Sequence, residues 1–266
     1  CLIKFMDVSI IIPLFNESES LKELDDWISL SFKYKDLDYE VVYIDDGSND
    51  LSWDIIKSIS QNNSNRKGIS FIKNYGKSQA LRVGFSEAKG KYIATLDADL
   101  QDSPEEIPLM IKKLIENDLD LISGWKKKRH DSFITKRVPS YFFNLVARVF
   151  SGINLNDFNC GIKVYKKEVA KSITLYADMH RFIPILAKNQ GFNRIGEHVV
   201  KHQARKYGKT KFGNERFIRG FLDIITLWFT EKFGRRPMHF FGTLGTTMFL
   251  VGILFTIYLG YNKLFI

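Results

Sequence analysis

An alternation sustained over the first 125 residues restricts the fold most: short Ile/Val-rich runs take turns with stretches of helical period. Val8–Pro13, Glu40–Asp45, Ile69–Ile72, Tyr92–Leu96 and Leu119–Ile122 have the length and β-branched content of strands buried on both faces. The helical stretches between them carry start and stop signals. Ser20 and Glu23 have the spacing of a capping box ahead of Leu24 and Ile28. Ser103-Pro104-Glu105-Glu106 offers a cap, a proline for the first helical position and acids for the first turn. Ser78 opens a helix carrying Leu81, Phe85 and Ala88, with Gly90 as its stop. Such alternation predicts a Rossmann-like, mostly parallel α/β sheet with ligands at the carboxyl ends of its strands. No glycine-rich dinucleotide fingerprint and no loop ending in Gly-Lys-Ser/Thr is present, so dehydrogenase and ATPase readings lose support.

The expected strand ends are acidic. The first leads into Pro13-Leu14-Phe15-Asn16-Glu17, the second into Asp45-Asp46-Gly47-Ser48-Asn49-Asp50, the fourth into Asp97-Ala98-Asp99-Leu100-Gln101-Asp102. Carboxylates on neighbouring strand ends repel unless a cation or hydrogen-bond donors compensate. Asp97 and Asp99, two apart in extended chain, can converge on one hard divalent ion, with Gln101 as a neutral oxygen ligand. Asp50 and Asp102 read instead as helix caps. Two cysteines, Cys1 and Cys160, support neither a disulfide framework nor a four-cysteine zinc site and fit a reducing compartment.

The 266-residue chain has 39 Lys plus Arg against 30 Asp plus Glu, a net +9 that favours anionic partners. Most of the excess lies between Arg194 and Arg236, and Phe240 to Tyr261 then runs without a charged side chain. At about 1.5 Å per residue that run covers roughly 33 Å as a helix, the thickness of a bilayer's hydrocarbon core. A buried core helix is the alternative, but Trp228, Tyr258, Tyr261, Arg235 and Arg236 supply aromatic and basic anchors, and the basic flank puts the preceding domain on the cytoplasmic side. Just upstream, Phe217, Ile218, Phe221, Leu222, Ile225, Trp228 and Phe229 share one helical stripe, which predicts either a helix lying on the membrane surface or one packed on the soluble domain. The expected organisation is an α/β domain over 6–212, an amphipathic region over 213–236 and a transmembrane helix over 238–262. The short apolar stretch from Val8 to Phe15 leads straight into Asn16-Glu17, so no signal peptide is expected. Met6 reads as a natural start, and a chain cut after the span is one reading of the C-terminus.

The strings VSIIIPLFNESESL, VVYIDDGSNDLS, KNYGKSQALRVGFSEAKG, TLDADLQDSPEEIP and DFNCGIKVYKKEV resemble glycosyltransferase family 2 with a GT-A fold. Within it the chain is similar to the polyisoprenyl-phosphate glycosyltransferases, relatives of dolichyl-phosphate mannose synthase. A lone Asp-x-Asp is weak, whereas five motifs in family order and spacing are specific; they cover roughly Met6 to Phe212. Members usually carry two or more C-terminal spans where this chain shows one, which leaves truncation and an unusual topology both open.

The resemblance implies roles position by position. Pro13, Phe15, Glu17, Asp45 and Asp46 would line the nucleotide base and ribose, and Lys77 would approach the base or diphosphate. Asp97 and Asp99, with Gln101, would hold Mg²⁺ or Mn²⁺ on the diphosphate of the nucleotide-sugar, and Asp157 matches the presumed catalytic acid. Lys126, Arg129, Arg137, Arg205 and Lys211 stand where relatives receive a lipid phosphate; Arg181 is a further candidate for that set or for a structural ion pair. Cys160 reads as a small buried residue rather than a nucleophile. The implied activity is inverting transfer of one sugar from a UDP- or GDP-sugar to undecaprenyl or dolichyl phosphate at the cytoplasmic membrane. No nucleic-acid partner is expected, and a homo-oligomer is left open. Rival readings are another lipid or polysaccharide acceptor, a basic membrane-tethered nucleic-acid-binding module and an inactive nucleotide-sugar-binding scaffold. The absent Gln-x-x-Arg-Trp string counts against processive synthases, the acidic strand ends against nucleic acid, and intact Asp97, Asp99 and Asp157 against the scaffold.

Overall fold

The structure, a computed structural model, describes residues 6–33, 35, 37–127, 138–207, 215–234 and 236–265. The chain divides into two compact units, Cys1–Gly220 and Phe221–Ile266. In the first, β1 (Val8–Leu14), β2 (Tyr39–Asp45), β3 (Arg66–Ser70), β4 (Tyr92–Thr95), β5 (Leu121–Trp125), β6 (Lys163–Lys166) and β7 (Ile195–Val199) form a seven-stranded sheet ordered β3-β2-β1-β4-β6-β5-β7. Strand β6 runs antiparallel to β4 and β5, and the other pairings are parallel. Helices α1 (Leu21–Phe32), α2 (Ser52–Asn62), α3 (Lys77–Glu87) and α4 (Glu106–Glu116) are the crossovers, and α5 (Val138–Ser151), α6 (Lys167–Ser172) and α7 (Ile183–Asn189) complete the unit up to β7. This is the mostly parallel α/β architecture that the alternation predicted, in the GT-A-like form that the resemblance implied.

The central strands explain the order. Every residue of β1 is buried, and Ile10, Ile12, Leu24, Ile28, Ile107, Met110 and Leu114 belong to one continuous core with α1 and α4. Phe85 of α3 meets Tyr165 of β6 edge to face at 5.4 Å between ring centroids. Chain order reverses between β1 and β4, so the exits of β1, β2 and β4 open on a shared crevice, where open α/β sheets bind ligands.

Several local expectations are corrected. Strand β3 starts at Arg66 and ends at Ser70, and Ile72 is exposed. The strand begins early because the Arg66 side chain turns inward to Asp25, a polar anchor that an apolar pattern hides. As an edge strand, β3 is only half covered, unlike the doubly buried β1 and β2. Ser20 donates to the Glu17 carbonyl at 2.9 Å and Glu23 turns to Lys206 and Tyr207, so the capping box is not formed. Helix α3 stops at Glu87, and the Gly90 N–H instead donates to Ser9 Oγ at 2.8 Å.

Helix α8 (Glu215–Phe233) runs across the boundary between the units, and α9 (Pro237–Phe265) completes the second. Residues Pro237–Lys263 are long and apolar enough to cross a membrane, and that segment is not buried by the rest of the chain. Within this unit Phe229 packs against Phe233, Phe240 and Phe241. On α8, Leu222 and Ile225 are exposed whereas Ile224 and Leu227 are buried. The side chains of Phe217, Ile218, Phe221 and Trp228 lie outside the described residues.

Candidate active site

The exits of β1 and β2 are tied together by their own turn residues. Asn16 adopts φ 52°, a left-handed conformation that Asn tolerates. Its N–H donates to Ser48 Oγ and its Oδ1 accepts the Asn49 N–H, each at 2.8 Å. Asp50 accepts the Ser52 N–H at 2.9 Å from the turn before α2, where Leu51 rather than Asp50 is the N-cap. Asp45 accepts from the Ser48 N–H and from Ser70 Oγ, each at 3.0 Å. Asp46 receives the N–H groups of Tyr75 at 2.7 Å and Gly76 at 2.9 Å, yet burial still pushes its carboxyl up. Gly47, at φ 72°, lets this turn seat against the next loop: a Cβ there would lie 2.5 Å from the Lys73 carbonyl carbon. Pro13 is buried at the end of β1, and Phe15 and Glu17 are half-buried just beyond it.

At the exit of β4 every carboxylate has a cation. Lys77, the first residue of α3, pairs with Asp97. Burial opposes the charge on Asp97, but Lys77 outweighs it and, with Lys126 and His180, brings the carboxyl to about 2. Asp99 binds the Arg205 guanidinium at 2.7 Å, and the same guanidinium reaches Glu17 Oε1 at 3.4 Å. Burial and the Asp97 charge nonetheless hold the Asp99 carboxyl above its ordinary range, because Arg205 offsets them only in part. Gln101 points its amide at the Gln203 carbonyl, and its own carbonyl accepts the Gln203 N–H at 2.9 Å.

Asp102 is not a cap, contrary to expectation. It is buried with Lys126 Nζ at 2.8 Å and His202 Nδ1 at 3.3 Å on the same oxygen. Burial disfavours both charges of this ion pair, but mutual attraction lowers Asp102 and raises Lys126. Lys126 is thus committed to a carboxylate rather than presented to a lipid phosphate, and Arg205 spans two acids of the crevice. Arg129, Arg137 and Lys211 lie outside the described residues. Arg181, in a 3₁₀ turn at Met179–Phe182, is buried and 3.8 Å from Asp178.

The loop between α5 and β6 closes the other side. Asp157 is buried, and its Oδ1 accepts the Asn159 N–H at 3.2 Å. Gly161 lies flat against Asp97: a Cβ there would sit 2.5 Å from Asp97 Oδ2. Cys160 is buried, and burial, then the Asp102 charge, push its thiol up to about 12, which leaves it inert as a nucleophile. Lys163 is buried with its ammonium on the Cys160 carbonyl, and burial lowers its pKa. His180 pairs with Ser78 through ring Nδ1 at 3.1 Å and through its N–H at 3.0 Å, beside Lys77. Sequence reasoning missed Lys163, His180 and Glu197: the partners of His180 and Glu197 are distant in sequence, whereas Lys163 binds the carbonyl three residues before it and was flagged only by lying inside a recognised string.

The donor set fits a hard cation of a particular kind. Among the described residues no three His, Cys, Asp or Glu side chains are arranged as a metal cage. A divalent ion that keeps substrate phosphate oxygens among its ligands needs only one or two carboxylates. Asp99 is the under-compensated one, whereas Asp97 is already satisfied by Lys77.

A mostly parallel α/β sheet with one reversed strand and carboxylates at neighbouring strand exits is an arrangement of GT-A type. Residues 9–174 match the family model described as Glycosyl transferase family 2, and the chain belongs to that family. It is 33% identical over 263 residues to a dodecaprenyl-phosphate galacturonate synthase of Rhizobium johnstonii, covering 98% of this chain and 78% of that protein. It is 35% identical over 254 residues to an undecaprenyl-phosphate 4-deoxy-4-formamido-L-arabinose transferase of Pseudomonas syringae pv. syringae, covering 95% and 72%. Among solved structures, glucosyl-3-phosphoglycerate synthase from Mycobacterium tuberculosis, in complex with Mn²⁺, UDP and glucosyl-3-phosphoglycerate, superposes with a TM-score of 0.64. At 16% identity over 85% of this chain and 80% of that one, it bears on the fold alone.

Proposed function

We propose that this glycosyltransferase moves a single sugar from a nucleotide-sugar to a polyprenyl phosphate, with inversion, at the cytoplasmic face of an inner membrane. The observation that carries the donor half is the charge arrangement at the β4 exit. Asp99 is short of positive charge while bound to a guanidinium that can leave, so it suits a divalent ion arriving with a diphosphate. Asp99, with Asp97 beside it, would hold Mg²⁺ or Mn²⁺. When bound, such an ion neutralises the departing nucleotide diphosphate. Glu17, Asp45 and Asp46 stand where the base and ribose would lie, and Lys77, once exchanged from Asp97, can donate to a phosphate oxygen. The acceptor half is supported by the relatives' names, which share a polyprenyl phosphate while differing in the sugar, and by the apolar α9. Arg205, displaced from Asp99, would become available to an anionic acceptor.

Thermal-shift screening of UDP-, GDP- and dTDP-sugars with Mn²⁺ tests the donor reading, since a ligand at 100 times its Kd adds about 2.7 kcal/mol of stability. Transfer to undecaprenyl phosphate then tests the acceptor. Asp99→Ala should abolish transfer and the metal-dependent part of nucleotide binding with the fold intact. Metal-stimulated turnover in that variant would remove Asp99 from the site.

A further inference from the structure

The Asp157 loop lies between a helix and a strand with no regular structure of its own, yet it is gripped from both sides. Glu197 on β7 accepts the Asn156 N–H at 2.7 Å and the Asp157 N–H at 3.1 Å on one oxygen, and Asn156 Nδ2 at 2.6 Å on the other. Ser123 on β5 is the register partner of Glu197, and its Oγ donates to the Asp157 carbonyl at 3.3 Å. Asn144 on α5 accepts the Phe158 N–H at 3.2 Å. Glu197 is itself fixed, since its carbonyl accepts Lys113 Nζ of α4 at 2.8 Å.

We propose that Glu197 is a positioning residue for the transfer reaction, holding the Asp157 peptide so that its carboxylate keeps one orientation. Two facts separate this from ordinary scaffolding. The Glu197 carboxylate takes the Asp157 backbone N–H directly, at 3.1 Å, so its position sets the peptide from which the Asp157 side chain extends. Its charge also strengthens all three N–H bonds, and it concentrates them on the residue pair that includes Asp157. The loop then runs to Gly161, against Asp97, so a slip at Glu197 would disturb both ends of the site.

This inference rests on the proposed function and on the catalytic role that the family resemblance implies for Asp157, and the test separates the two. Glu197→Ala should lower kcat about tenfold or more, because displacing a reacting group by about 1 Å can cost 10²-fold, with donor KM changed less than about twofold. Glu197→Gln, which keeps an oxygen for the Asp157 N–H, should recover part of the loss. In an Asp157→Asn background Glu197→Ala should add less than about twofold, since nothing is left to position. Losses that multiply, or an unchanged kcat, overturn the proposal. Amide exchange over 155–159 should accelerate about tenfold in Glu197→Ala with the rest of the sheet protected, and unchanged exchange likewise overturns it. Should the wild-type enzyme transfer nothing to any polyprenyl phosphate, the functional reading fails while the exchange measurement still decides the grip.

Discussion

The Arg205 guanidinium spans Asp99 at 2.7 Å and Glu17 at 3.4 Å, so it would compete with the divalent cation proposed for Asp99. Removing it leaves two acids with no cation between them, and a unit charge about 4 Å away at an effective dielectric of 20 is worth about 4 kcal/mol. Arg205→Gln should therefore bind Mn²⁺ alone about tenfold or more tightly, read by paramagnetic resonance titration, even as acceptor KM rises. Equal Mn²⁺ affinity in the two proteins would show that Arg205 and the ion do not compete. A different argument applies to Asp157. The acceptor phosphate monoester has a second pKa near 6, so above pH 7 it is mostly dianionic and has no proton to give up. General-base assistance is worth 10²–10⁴-fold only where a proton leaves in the transition state. If the carboxylate instead orients the acceptor or sugar and stabilises positive charge on the ring, Asp157→Asn should lose activity by a factor that stays constant from about pH 6.5 to 8.5. Steep recovery at high pH would make Asp157 a base.

Among the elements, α1 and the edge strand β3 are joined by a buried polar knot rather than by apolar packing. Asp25 accepts from Tyr43 Oη at 2.7 Å and from Arg66 Nε at 2.6 Å, and Arg66 also donates to Ser29 Oγ at 2.7 Å. Burial, then the Asp25 charge, push the Tyr43 phenol up. Breaking a buried pair by removing one partner costs about 3–5 kcal/mol. Arg66→Met should therefore lower the thermal midpoint by roughly 6–20 °C. The double variant Asp25→Leu, Arg66→Met should regain part of it, since no charge is stranded; equal losses would mean that Arg66 acts by packing alone. This knot also marks what the sequence made legible. Strands β1, β2 and β4 were readable because a doubly buried strand must be apolar throughout. Strand β3 was displaced because its anchor is a charge, and β7 was not foreseen because none of its five residues is buried. The acids at the strand exits were equally plain, but their partners were not: Lys126, His202 and Arg205 lie far along the chain from Asp102 and Asp99. The basic run read as a footprint for anionic partners is partly spent inside the protein, with Arg194 on Asp118 and Asp120 and Lys206 on Glu23.

For the whole molecule, the balance between water and lipid decides where the enzyme works. Helix α9 offers Met248, Phe249, Leu254, Phe255 and Ile257 to its surroundings, each more than half exposed. Such a surface is stable in hydrocarbon and costly in water at about 25 cal/mol per Å². Helix α8 adds Leu222 and Ile225, also exposed, while its neighbours Ile224 and Leu227 are covered. A helix with one covered and one bare apolar face is suited to lie at an interface, where each bare side chain gains roughly 1.5–3 kcal/mol on burial. A long-chain acceptor is confined to the same interface, so losing these anchors should weaken its encounter with the enzyme without touching the nucleotide site. Changing Leu222 and Ile225 together to Ser should raise apparent KM for a long polyprenyl phosphate in vesicles. It should leave nucleotide-sugar affinity, and KM for a short water-soluble prenyl phosphate, within about twofold. If donor affinity falls in parallel, or the short acceptor suffers equally, the two side chains serve packing within the protein and the interfacial assignment of α8 is wrong.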